Sequence, residues 1–233
     1  RGSHAPLTMQ ANGKQLAHEA LEKVFNQEFP CLHYSPSDIQ YVMLQSTDET
    51  INNLVLLKGI DPIKEPTTTT LEHKIVYNKR GITTLRDALQ DNSVLIGYNL
   101  ARSLQLHIGD IFTIYFVPEH ENGSKTITLS KSEFRVGALF KTGIEEFDSN
   151  LLIASLNTVK SLFPSSGVTT LNIAYPPHYR EDDVKDILQK RFKIPIYSWK
   201  DRYPALIAAL TLETYASFIV LSLIVLVASM SIL

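Results

Sequence analysis

From Ala216 to Leu233 the chain is an unbroken apolar run, ASFIVLSLIVLVASMSIL, interrupted only by Ser217, Ser222, Ser229 and Ser231. A run of roughly 18 residues approaches the ~20 that a helix needs to cross a bilayer. Serine is tolerated there because its hydroxyl can bond back to the helix backbone. The run therefore predicts most of a transmembrane helix, and it follows a large region of mixed polarity. A secretory signal would stand at the other end. Just upstream, Pro204 suits the first turn of a helix, and Leu206, Ile207, Leu210 and Tyr215 follow at helical spacing as a lead-in.

Earlier in the chain, Leu16, Ala20, Leu21, Val24 and Phe25 fall on one face of an amphipathic helix over Lys14 to Phe25. Past Phe29-Pro30, the alternation of Ile39, Tyr41 and Met43 with Gln40 and Val42 predicts a strand, and NLVLLK (Asn53 to Lys58) predicts another. The same grammar returns near the far end. Thr169 to Ala174 and Ile194 to Ser198 are strand-like, and Asp182 to Phe192 sets Val184, Ile187, Leu188 and Phe192 on one helical face.

Between these flanks, from about Gly59 to Phe163, strands dominate: Val94 to Gly97, Ile111 to Val117, Thr126 to Leu129, Phe134 to Phe140 and Asn150 to Ile153. Short helices are expected at Asn99 to Leu104 and Ser155 to Leu162. The expected fold class is α+β. An α/β subdomain built from about residues 1–58 and 168–200 carries a β-rich insertion over about 59–167. Together they form a domain over 1–203, and residues 204–233 form the lead-in and the start of the membrane helix.

Composition narrows the function classes. With 44% hydrophobic and 20% charged residues, the part before the apolar run can bury a real core. The balance of 22 Lys+Arg against 24 Asp+Glu supplies no basic field, so nucleic acid is not an expected partner. Cys31 is the only cysteine, which excludes an internal disulfide and any multi-cysteine metal site. No histidine stands three or four residues from another histidine or cysteine, and no metal site is expected. The carboxylate cluster Glu145-Glu146-Phe147-Asp148 lacks the alternating ligands and turn glycine of a calcium loop and reads as a solvated turn. Ser35 and Ser165-Ser166 have no nucleophile elbow, and no Walker sequence is present. Neither catalytic residues nor a cofactor is expected on this chain.

Four stretches then carry a family resemblance. LLKGIDPIKE (Leu56 to Glu65), VLIGYNLARSLQLHIGDIFTIYFVP (Val94 to Pro118), FRVGALFKTGIEEFDSNLLIASLNTVKSLF (Phe134 to Phe163) and the stretch from Tyr197 to Leu233 resemble, in order and spacing, the lipoprotein-releasing permease subunits of the LolC/LolE type. That group belongs with the macrolide exporter MacB and the division protein FtsX. The resemblance implies a bacterial inner-membrane subunit whose large domain faces the periplasm, between a first and a second membrane helix. It implies a non-catalytic permease that pairs with a second permease, as a homo- or heterodimer, and with cytoplasmic ATPase subunits. On this reading it lifts lipoproteins out of the bilayer and passes them to a periplasmic carrier. The alternative within the group is an FtsX-like regulatory module that transmits ATPase-driven motion to a periplasmic partner.

The resemblance also singles out residues. The stretch Pro118 to Glu133 matches the hairpin that docks the carrier in such subunits. Its candidates are Pro118, Asn122, Gly123, Ile127 and Leu129, although the loop lacks the internal prolines and larger apolar residues of that hairpin. On the membrane helix, Phe218, Leu221, Ser222 and Val225 share the face expected to border the cargo path.

Overall fold

The computed structural model describes residues 5–10, 15–45, 52–77, 84–90, 92–118, 129–164, 167–202 and 204–232. The fold is α+β and divides into two compact units, Arg1–Ile196 and Tyr197–Leu233.

The first unit opens with β1 (Leu7–Gln10), α1 (His18–Glu28), β2 (His33–Gln45) and β3 (Asn52–Ile60). A short helix α2 (Glu65–Thr68) and a 3-10 turn, Leu71–Lys74, lead into β4 (Ile75–Tyr77), α3 (Leu85–Ala88), β5 (Ser93–Gly97) and α4 (Tyr98–Ser103). There follow β6 (Ile111–Phe116), β7 (Ser130–Phe140), α5 (Glu145–Asn150), β8 (Leu151–Ser155) and α6 (Leu156–Leu162). The sheet is completed by β9 (Thr170–Ala174), α7 (Glu181–Phe192) and β10 (Ile196–Ser198). α1 starts later than its apolar spacing suggests and runs on to Glu28. Of the strand expected at Thr126 to Leu129, only Leu129 is among the described residues, and it precedes β7.

The strands order as β10-β1-β9-β2-β3-β8-β5-β7-β4, while β6 pairs with both β2 and β7. That double pairing closes β2, β3, β8, β5, β7 and β6 into a six-stranded barrel, and closure removes the open edges those strands would otherwise present. Each strand sends an i,i+2 pair into one buried cluster: Val42 and Leu44 from β2, Val55 and Leu57 from β3, and Phe112 and Ile114 from β6 are examples. Leu100 of α4, Leu104 just past its end and Phe163 beyond α6 complete it.

The inward set on β2 is therefore Val42 and Leu44. The alternating Ile39, Tyr41 and Met43 that mark this strand in the sequence face outward and are exposed. A second cluster lies outside the barrel wall, where Leu71, Leu85 and Leu89 cover Leu95, Ala138 and Ile153.

The two ends of the first unit meet in a third cluster. Helices α1 and α7 pack Leu21, Phe25, Val184 and Leu188 against Leu7, Met9, Leu171 and Ile173 of β1 and β9. Phe25 stacks on Phe192 with ring centroids 5.3 Å apart and also meets Tyr34 at 5.2 Å. Ile187, on the predicted apolar face of α7, is exposed instead.

The second unit contains α8 (Trp199–Arg202) and α9 (Pro204–Ile232). The Asp201 carboxylate accepts from the Ser198 N–H at 2.8 Å, fixing the start of α8. At 29 residues, α9 is about 43 Å long at 1.5 Å per residue. It is one continuous helix through the lead-in and the apolar run. Its window Ala208–Val225 is exposed throughout and is long and apolar enough to cross a membrane.

Candidate functional site

The β6–β7 hairpin grows directly out of the barrel. Its ladder runs from Ile111 opposite Arg135 to Phe116 opposite Ser130, so that Phe112, Ile114 and Phe116 point into the core. The odd positions must then face out. Beyond the last pair, Val117 and Leu129 are both exposed, Leu129 at 57%, and Pro118 is half-buried. Asn122, Gly123 and Ile127 lie outside the described residues.

The outward face of the hairpin continues onto β2 and β3. Tyr115 stands opposite Met43, and its hydroxyl donates to the Gln45 side-chain oxygen at 2.7 Å. Met43 in turn stands opposite Leu54, and both are exposed, as is Tyr41 at 69%. Val117, Tyr115, Met43, Tyr41 and Leu54 thus extend the apolar surface of the hairpin base along the barrel wall. Sequence reasoning missed this extension because it treated the loop alone. The signal was present in the alternation: once Phe112 and Ile114 are inside, Tyr115 and Val117 are outside. Lys131, Glu133 and Arg135 of β7 border the face and are exposed.

On α9, Phe218, Leu221, Ser222 and Val225 fall on one stripe by their i, i+3, i+4 and i+7 spacing, and all four are exposed. The Ser222 hydroxyl donates to the Phe218 carbonyl at 2.8 Å, and Ser229 donates to Val225 at 2.7 Å. Both hydroxyls are satisfied within the helix, which suits a surface facing hydrocarbon. Ile219, Val220, Leu223, Ile224 and Val227 are exposed as well, so the helix is apolar on every side.

The remaining polar clusters hold the fold together. The Asp148 carboxylate is buried and accepts from the Thr142 N–H at 2.7 Å, the Thr142 hydroxyl at 2.8 Å and the Gly143 N–H at 3.0 Å. Only Glu145 and Glu146 of that acidic run face solvent, so Asp148 departs from the expected solvated turn. Lys64 Nζ lies 2.6 Å from Glu22 Oε1, and the hydrogen bond holds the Glu22 carboxyl below the usual range. Burial lowers His18, with Lys64 and Lys160 adding to it against the pull of Glu22 and Asp61. Burial, joined by Glu181, pushes Tyr175 up to about 12. Among the described residues, no group of three or more His, Cys, Asp and Glu is placed to hold a metal ion.

No family model matches the sequence, and no curated protein does. Solved structures do match. The periplasmic region of MacB from Actinobacillus actinomycetemcomitans superposes with a TM-score of 0.55 at 14% identity, over 89% of this chain and 94% of that one. The extracellular domain of the noncanonic ABC-type transporter YknZ from Gram-positive bacteria superposes with a TM-score of 0.52 at 12% identity, over 83% of this chain and 98% of that one. The chain thus has the fold of the MacB periplasmic region and of the YknZ extracellular domain, and this fold is followed by a helix long and apolar enough to cross a membrane.

Proposed function

We propose that this chain is the periplasmic domain and part of the second membrane helix of a permease subunit in an ABC transporter that releases lipoproteins from the inner membrane. The observation that carries the reading is the continuity of the two parts. A domain with this extracytoplasmic fold runs into a 29-residue helix whose stretch Ala208–Val225 is exposed and apolar, so motion driven by an ATPase on the far side of the membrane has a direct route to it. Lipoprotein as cargo is supported by the ordered sequence resemblance from Leu56 to Leu233. Extracting such cargo means exposing acyl chains at about 0.8 kcal/mol per CH₂, which requires coupling to ATP hydrolysis on a separate subunit.

Within this reading, the hairpin base and the barrel wall dock a periplasmic carrier. Val117, Leu129, Tyr41 and Leu54 supply the apolar anchors that a binding surface needs. The stripe Phe218, Leu221, Ser222 and Val225 faces cargo acyl chains at the interface with a second permease. The test is site-specific photo-crosslinking in the full-length permease assembled with its ATPase. Probes at Leu129 and Tyr41 should trap the carrier, and a probe at Leu221 should trap lipoprotein. Adducts to a periplasmic enzyme, with none to lipoprotein or carrier, would replace this reading with the FtsX-like regulatory one.

A further inference from the structure

β2 belongs to two bodies. Its first half, His33 to Ser37, pairs with β9 in the layer under α1 and α7, and its second half, Ser37 to Gln45, pairs with β3 in the barrel wall. Ser37 alone pairs with both β9 and β3, opposite Thr170 and Ile60. Pro36, which has no N–H to continue a ladder, stands where the pairing with β3 stops. The apolar cluster under α1 and α7 and the apolar cluster inside the barrel are separate, and the line between them is polar. Ser35, Ser37, Asp38, Thr170, Asn172, Glu65, Thr68 and Thr69 are all buried along it. The Ser37 hydroxyl has no hydrogen-bond partner among the described residues.

α2 lies across this line and grips both sides with consecutive residues. Lys64, its N-cap, reaches Glu22 of α1 at 2.6 Å and the ring of Tyr34 at 4.7 Å. Glu65 accepts from the Ser35 hydroxyl at 2.6 Å and from Lys58 Nζ of β3 at 3.3 Å. Tyr34 and Ser35 are neighbours in a strand and so point to opposite faces of it. α6 spans the same line with apolar contacts, Leu156 in the α1–α7 cluster and Val159 in the barrel cluster.

We infer that α2 is a two-sided polar latch over a hinge in β2 at Ser37, and that releasing the latch lets the α1–α7 layer rock against the barrel about α6. Opening an apolar seam exposes hydrocarbon to water, whereas the groups of a polar seam exchange one partner for a water molecule at modest net cost. Rocking along this line therefore costs less than opening either apolar cluster, and a few side chains at α2 set its equilibrium. The inference does not depend on what the domain transports.

The test is a distance distribution between spin labels in the 233-residue chain in detergent, one label on the exposed native Cys31 and one on Glu133→Cys of β7. The parent should give one narrow distance. Lys64→Met should add a second population of about a tenth of the molecules or more. Arg191→Met, which breaks the Glu28 ion pair within the α1–α7 layer, should leave the distribution as it is. Should Lys64→Met fail to fold, Glu22→Ala removes the same grip from the exposed side and is read in the same way. A distribution in the latch variant that matches the parent, whether or not its melting temperature falls, overturns the inference and makes α2 a static brace.

Discussion

A Cβ atom placed on Gly97 would stand 2.3 Å from the carbonyl oxygen of Asp148. The end of β5 and the helix α5 touch backbone to backbone at this point, and the buried Asp148 carboxylate ties down the turn at Thr142 and Gly143 from the same position. A glycine that looks unremarkable in the sequence is what lets α5 close over the barrel strand.

Gly97→Ala should accordingly destabilise the domain by about 1–3 kcal/mol or more, because the obstacle is backbone and cannot swing aside. Asp148→Ala removes the charged acceptor of the Thr142 and Gly143 amides, and a hydrogen bond to a charged group is worth about 1.5–3 kcal/mol. Urea unfolding of both variants measures this, and wild-type midpoints would contradict the close approach.

Leu44 and Tyr41 test the register of β2. Leu44 lies inside the barrel, so Leu44→Ala should cost about 2–5 kcal/mol. Tyr41→Ala, on the outer wall, should stay within about 0.5 kcal/mol. The same pair read in carrier pull-down should invert: Tyr41→Ala weakens binding, and a stable apolar exchange such as Leu44→Met does not.

Ser222→Ala should insert as the parent does, because the hydroxyl it removes is already satisfied by the Phe218 carbonyl. Leu221→Asp places a charge on the membrane stripe at about 2.5–3.5 kcal/mol and should impair insertion. Leu221→Trp keeps the stripe apolar while filling space. With normal insertion, it should slow lipoprotein release in proteoliposomes, and an unchanged rate would remove this face from the cargo path.

Acidification should weaken the domain through His18. Burial, reinforced by Lys64 and Lys160 and opposed by Glu22 and Asp61, lowers its folded-state pKa, so the folded protein prefers the neutral ring. That contribution is fully present above the ordinary value of 6.5 and is lost as the pH falls through the lowered folded value. Glu22, also lowered, acts in the same direction below 4.5. In His18→Asn the decline in melting temperature between pH about 7 and about 5 should be shallower than in the parent. An equal slope would assign the dependence to other groups.

Cys31 offers a direct test of topology. It is the only cysteine and it is exposed. In cells expressing the full-length membrane protein, a membrane-impermeant maleimide that reaches the periplasm should label it before lysis. Labelling only after lysis would place the domain on the cytoplasmic side.

The sequence by itself determined most of the local elements and the long apolar helix. An unbroken apolar run is recognised without any tertiary partner, and α9 follows it. α7 and the cores of β2, β3, β5, β6 and β7 were likewise legible from spacing. What spacing does not carry is which partner each strand takes. Barrel closure depends on β6 finding β2 some seventy residues earlier in the chain, as the Tyr115–Gln45 hydrogen bond shows. The face that β2 buries followed from that closure. Ile39, Tyr41 and Met43 alternate as well as Val42 and Leu44 do, and only the position of the other strands put the second pair inside. β1, β4 and α2 were invisible for a related reason: each is three or four residues long, too short for a period, and held by neighbours distant in sequence. The charged grip of Lys64 on Glu22 and of Glu65 on Ser35 and Lys58 is likewise a product of tertiary structure, since nothing in the local sequence distinguishes these charged residues from others along the chain.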